Sequence, residues 1–241
     1  MSANRSVPFV DDFGIKGFLE TSFLDWPGRL AAVVFLGGCN FRCPFCHNAE
    51  LVLEPHRVPT IPLAHVLERL RSLRGWVDGV VVSGGEPTLS PALPELLGRL
   101  RAAGFAVKLD TNGSHPDVLA RLISRSLVQA VDMDVKAPLE PAVYAALAGV
   151  PVKLGLIRAS LDLIRLSGLP HRFRTTYVPG LLDPAAVRRL RCALPAGSPF
   201  VVQAFNPRRV LDPALAGVAA PTADALAALE ARGLPTLAAA C

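Results

Sequence analysis

With 51% of its 241 residues apolar and 19% charged, the chain can bury one large core and lies far from the composition of a disordered segment. Its formal charge of +5 is almost all arginine, the lysines being Lys16, Lys108, Lys136 and Lys153; that balance suits an acidic partner or equally reflects an Ala-, Leu-, Arg- and Pro-rich composition, and no basic block interleaved with aromatics marks a nucleic-acid surface. No apolar run reaches the roughly 18 uncharged residues of a membrane span and the first residues lack the apolar centre of a secretion signal, so a cytoplasmic protein with no membrane partner is expected.

Residues 1–30 hold Phe13, Phe18, Phe23 and Trp26 without a clean period and read as an extension of irregular strands or turns. Ala31 to Leu36 is a buried strand, followed at once by Gly37-Gly38-Cys39-Asn40-Phe41-Arg42-Cys43-Pro44-Phe45-Cys46-His47-Asn48. Leu63, Val66, Leu67, Leu70 and Leu73 recur at helical spacing, with Gly75 as the stop. A strand from Gly79 to Ser83 runs into Gly84-Gly85-Glu86-Pro87, and Ser90-Pro91 opens a helix carrying Leu93, Leu96, Leu97 and Leu100.

Ala106 to Leu109 is the third strand, ending in Asp110-Thr111-Asn112-Gly113, and Ser114 is the expected cap of a helix with Leu119 and Leu122 inward. Val128 to Val135 is the fourth strand, with Asp132 and Asp134 on one face and Lys136 after it. The Leu154, Ile157, Leu161 and Ile164 stripe is a helix, Phe173 to Val178 a fifth strand, Asp183-Pro184 a helix start, and Phe200 to Phe205 a sixth strand. This alternation predicts an α/β fold, an incomplete parallel (βα)6 barrel over residues 31–206, with an Ala-rich tail over 207–241 packing on it through a helix near Leu226 and Leu229.

Three cysteines in eight residues can hold one metal centre, and the absence of a fourth leaves a cubane with one iron open to a reacting ligand. A Cys3His zinc site using His47 is the alternative, though the ligand pairs of a zinc finger are missing. Cys192 reads as a buried apolar side chain and Cys241 as a terminal residue. His65 and His115, in or beside helices, read as facing solvent. Strand ends in parallel α/β folds collect ligands, which brings Gly84, Gly85, Glu86, Asp110, Asn112, Asp134 and Lys136 to the mouth that the cysteines share. Arg174, inside a strand, requires a carboxylate partner from protein or cofactor, and Asp132 fits lower in the barrel.

Cys-x-x-x-Cys-x-x-Cys with Phe45 before the last cysteine resembles the signature of the radical S-adenosylmethionine superfamily. Lys16 to Gly28, Ser83 to Leu89, Lys108 to Gly113, Asp134 to Pro138 and Arg174 to Thr176 are similar to the activating proteins of anaerobic ribonucleoside-triphosphate reductases and related glycyl-radical activases. The resemblance implies a 4Fe-4S cluster on Cys39, Cys43 and Cys46, chelated by S-adenosylmethionine, whose reductive cleavage gives a 5'-deoxyadenosyl radical that makes a glycyl radical on a partner enzyme. It also implies Gly84 to Glu86 at the cofactor amino group, Phe45 over the adenine, Lys136 at the methionine carboxylate and a flavodoxin- or ferredoxin-type electron donor. A radical enzyme of a small molecule or nucleoside, and a non-catalytic zinc or iron-sulfur module, are the other readings.

Overall fold

The structure is a computed structural model that describes residues 12–231. Its strands are β1 (Ile15–Ser22), β2 (Ala31–Leu36), β3 (Gly79–Gly84), β4 (Ala106–Thr111), β5 (Ala130–Asp134), β6 (His171–Tyr177) and β7 (Phe200–Ala204). They form one sheet in sequence order, β2 to β7 parallel and β1 antiparallel to β2, and β1 and β7 are its two open edges. The six parallel strands expected are present, curling as an open barrel. Residues 15–22, expected to be irregular strands or turns, form a strand beside β2, interrupted by register shifts between Ile15 and Gly17 and between Leu19 and Ser22.

The helices are α1 (Ala49–Leu53), α2 (Leu63–Ser72), α3 (Leu93–Ala102), α4 (Pro116–Ser124), α5 (Pro141–Ala148), α6 (Leu154–Leu166), α7 (Pro184–Ala193) and α8 (Ala223–Ala231). Packing decides their positions: α3 buries Leu93, Leu96, Leu97 and Leu100 completely, each contributing roughly 1.5–3 kcal/mol of apolar transfer. Asp183 caps α7 by accepting from the Ala186 N–H at 2.6 Å. Ser114 does not cap α4, which starts at Pro116 after His115; its hydroxyl is drawn instead to the Asn112 side chain at 2.6 Å. α1 and α5 have no sequence stripe long enough to announce them.

α8 packs on β7 and α7 through Leu229, which joins Leu182, Ala186, Val187 and Val202. Cys192 is exposed on α7, against the buried position expected, because the inward positions of that helix go to Ala186, Val187 and Leu190. Cys241 lies outside the described residues. Among the described residues no helix is long and apolar enough to cross a membrane.

Even-numbered residues of β4, β5 and β6 face the barrel interior, and odd-numbered ones such as Val107, Leu109, Val131, Met133 and Phe173 face the helices. The floor of the barrel is apolar: Trp26, Ala31, Val33, Val81 and Ala130 close it, with Phe35 and Ala106 against them. Above that floor the interior becomes charged.

Candidate functional site

Lys108 lies between Asp110 and Asp132, its ammonium 2.5 and 2.6 Å from their carboxylates. Arg172 closes on Asp132, and Arg174 reaches Asp110 at 3.2 Å, Asp132 at 3.4 Å and Asp134 at 2.8 Å. Lys136 completes the ladder at 3.2 Å from Asp134. The register dictates this, since Asp110 is opposite Asp132, Asp132 opposite Arg172 and Asp134 opposite Arg174. Three carboxylates and four cations are therefore stacked by strand geometry, and each repays the desolvation of its neighbours. Burial alone would raise the Asp132 carboxyl, but Arg172, Lys108 and Arg174 hold it below the usual range.

The ladder rises into a cavity of about 310 Å³ at the C-terminal ends of the strands. One wall is the cysteine loop, which presents Cys39, Cys43, Phe45, Cys46 and His47. A second is formed by Gly84, Gly85, Asp110 and Asn112 from the ends of β3 and β4, and a third by Asp134 and Lys136. Thr176 of β6, Gln203 and Ala204 of β7, and Asn206 just beyond β7 complete it. Sequence reasoning missed the last four residues, and also Asn48, whose amide donates to the Gly84 carbonyl at 2.9 Å. Residues scattered over the ends of two strands and a loop carry no spacing that would single them out.

Two of the residues expected at the site do not line this cavity. Glu86 is 1% exposed and turned into the protein. Its Oε1 accepts from the Thr88 N–H at 3.0 Å, the Thr88 hydroxyl at 2.5 Å and the Thr111 hydroxyl at 2.8 Å, and its Oε2 accepts from the Asn112 N–H at 2.6 Å. Burial outweighs these donors and raises its pKa. Arg174 is the second, spent on the three aspartates below the mouth.

The two glycines have a structural reason beyond room for a ligand. A Cβ on Gly85 would lie 1.8 Å from the Gly38 carbonyl oxygen, and one on Gly84, whose φ is +119°, would lie 2.3 Å from that of Leu36. This closeness lets the Glu86 N–H donate to the Gly38 carbonyl at 2.8 Å, fastening the Gly-Gly-Glu turn to the start of the cysteine loop.

The three thiols are free and share one cavity, yet among the described residues no three Cys, His, Asp or Glu side chains close on a single point as one ion requires. They stand around a space. Burial pushes the Cys43 thiol up to about 11 and raises Cys39 as well, so holding them as thiolates requires a cationic centre between them. Lys136, whose own ammonium is stabilised against burial chiefly by Asp134, supplies part of that positive field. Asn112 is joined to the cysteine loop, donating to Asn40 Oδ1 at 2.9 Å and to Cys39 Sγ at 3.9 Å. His115 is only partly exposed; its Nδ1 is 3.1 Å from the Thr88 hydroxyl and 2.9 Å from that of Ser114.

An open parallel barrel with a three-thiol loop at its first strand end agrees with sequence comparison: the chain belongs to the Radical SAM superfamily, which it matches over residues 33–193. It is 32% identical over 202 residues to the "Putative glycyl-radical enzyme activating enzyme" of Methanocaldococcus jannaschii, covering 82% of each chain. A 7-carboxy-7-deazaguanine synthase of Methanopyrus kandleri is 38% identical over 131 residues, 46% of this chain and 51% of that one. In structure, Streptococcus suis SuiB bound to S-adenosylmethionine superposes with a TM-score of 0.53 at 19% identity, over 68% of this chain and 38% of that one. The chain thus spans most of the first relative and about half or less of the other two. Enzymes of this superfamily use a 4Fe-4S cluster and S-adenosylmethionine, and this chain is one of them.

Proposed function

We propose that this enzyme activates a glycyl-radical enzyme, with an anaerobic ribonucleoside-triphosphate reductase as the first candidate partner. The observation that carries the proposal is the 32% identity to a glycyl-radical activating relative along 82% of both chains. In this reading Cys39, Cys43 and Cys46 hold a 4Fe-4S cluster, which leaves the fourth iron for the amino and carboxylate groups of S-adenosylmethionine. When bound, the pair supplies a 5'-deoxyadenosyl radical after reduction by one electron from a flavodoxin- or ferredoxin-type donor in the cytoplasm.

The remaining roles fall to groups facing the cavity. Lys136 pairs with the methionine carboxylate while Asp134 stays held by Arg174. Asp110 and Asp134 offer carboxylate oxygens to ribose hydroxyls, and Phe45, buried beside Cys46, offers a face to the adenine. Gly84 and Gly85 meet the cofactor through backbone, and Glu86 acts by fixing that backbone, since its carboxylate is consumed by Thr88, Thr111 and Asn112. Arg174 orients Asp110 and Asp134 from beneath.

The similarity to a 7-carboxy-7-deazaguanine synthase favours a second reading, in which the radical acts on a small heterocycle. One experiment separates the two. The reduced, cluster-loaded protein is incubated anaerobically with S-adenosylmethionine and either a glycyl-radical enzyme or the substrate of that synthase. A glycyl radical doublet in electron paramagnetic resonance, with 5'-deoxyadenosine formed only when the protein partner is present, supports the proposal. Turnover of the heterocycle with no protein radical selects the alternative.

A further inference from the structure

We infer that Asn112 is a positioning residue for electron transfer, raising the reduction potential of the bound cluster through a hydrogen bond to Cys39. The inference rests on the cluster assignment above and adds to it an asymmetry among the three ligands. Cys39 Sγ accepts from the Phe41 N–H at 3.3 Å and from the Asn112 amide at 3.9 Å, whereas among the described residues the sulfurs of Cys43 and Cys46 accept from none.

The orientation of the Asn112 amide follows from its surroundings. Its Oδ1 accepts from the Ser114 N–H at 2.9 Å and the Ser114 hydroxyl at 2.6 Å, so the oxygen end is fixed away from the cysteine loop. The Nδ2 end then has two protons and two acceptors, Asn40 Oδ1 at 2.9 Å and Cys39 Sγ. Its backbone N–H is fastened to the buried Glu86 carboxylate at 2.6 Å, so the residue is held at both backbone and side chain and is 6% exposed. An N–H dipole directed at a thiolate ligand stabilises the more negative, reduced cluster and shifts its potential upward. This gives Asn112 a role beyond lining the cavity, and explains why Ser114 is diverted from capping α4.

The test is a redox titration with dithionite, followed by electron paramagnetic resonance, on cluster-loaded wild-type protein and on Asn112→Asp, Asn112→Ala and Ser114→Ala. Iron and sulfide content are measured first. If wild type assembles no 4Fe-4S cluster, the cluster assignment itself fails. If it does, Asn112→Asp, of the same shape but presenting an anion to the sulfur, is expected to have the lowest midpoint potential. Asn112→Ala is expected next, and Ser114→Ala, which frees the amide to turn, between Asn112→Ala and wild type. Should Asn112→Ala not retain its cluster, Asn112→Asp and Ser114→Ala decide. Midpoints equal to wild type in the variants that hold a cluster overturn the inference and leave the cluster assignment standing.

Discussion

The end of β3 and the end of β5 look alike in sequence, each placing a carboxylate at a strand terminus, yet the fold uses them in opposite ways. At Gly84-Gly85-Glu86 the acid is directed into the protein, where four donors from Thr88, Thr111 and Asn112 consume it. At Asp134-Val135-Lys136 the pair faces the cavity, 29% and 14% exposed, with Arg174 fixing Asp134 from below. The first corner joins loops; the second presents its charge to the cavity. A carboxylate at a strand end therefore marks a place of importance without saying whether it serves the ligand or the backbone beside it.

The largest effect expected comes from removing what both corners serve. Cys43→Ala should abolish cluster assembly and S-adenosylmethionine cleavage together, as iron content and 5'-deoxyadenosine formation will show. Next is the ladder on which the β5 corner rests. Asp132→Asn leaves Lys108 and Arg172 with a neutral partner in the barrel interior and should cost about 3–5 kcal/mol in urea unfolding at neutral pH. The sign with pH follows from the lowered carboxyl of Asp132. Its stabilisation is complete above the ordinary carboxylate range and is lost as pH falls through the folded value, so the gap between wild type and Asp132→Asn should narrow in acid.

The third change tests the comparison itself. Glu86→Gln places an amide against the Asn112 N–H and should destabilise the protein by about 1–3 kcal/mol, loosening the cysteine loop along with it. A stable Glu86→Gln protein that loses only cofactor affinity would mean that the β3 acid faces the ligand after all. Lys136→Met should shift the balance the other way, costing less stability than Asp132→Asn because Arg174 still holds Asp134, while weakening S-adenosylmethionine binding about tenfold or more, measured by calorimetry on the cluster-loaded protein. Equal affinity in that variant would remove Lys136 from the ligand side.

The strand–helix alternation was legible because β-branched runs and leucine stripes report burial directly, and all six parallel strands fall where those runs lie. The cysteine triplet was legible from spacing alone. What remained hidden depends on facing and register. Glu86 points inward because the Gly38–Gly85 approach turns the strand end, a contact between residues 47 positions apart that no local pattern encodes. The ladder required knowing that Lys108, Asp132 and Arg172 meet across three strands, though the Lys-x-Asp, Asp-x-Asp and Arg-x-Arg alternations carried a trace of it. Ser114 had the composition of a helix cap and went instead to Asn112, where a stronger demand for an acceptor's partner existed.

The central claim is that the thiols of Cys39, Cys43 and Cys46 hold a cluster with one iron left for S-adenosylmethionine. Electron paramagnetic resonance of the anaerobically reconstituted, reduced protein, recorded with and without that compound, tests it most directly. The account predicts a 4Fe-4S signal whose shape changes when the sulfonium compound is added. A signal identical in both samples, or one zinc ion per chain in place of iron, would contradict it.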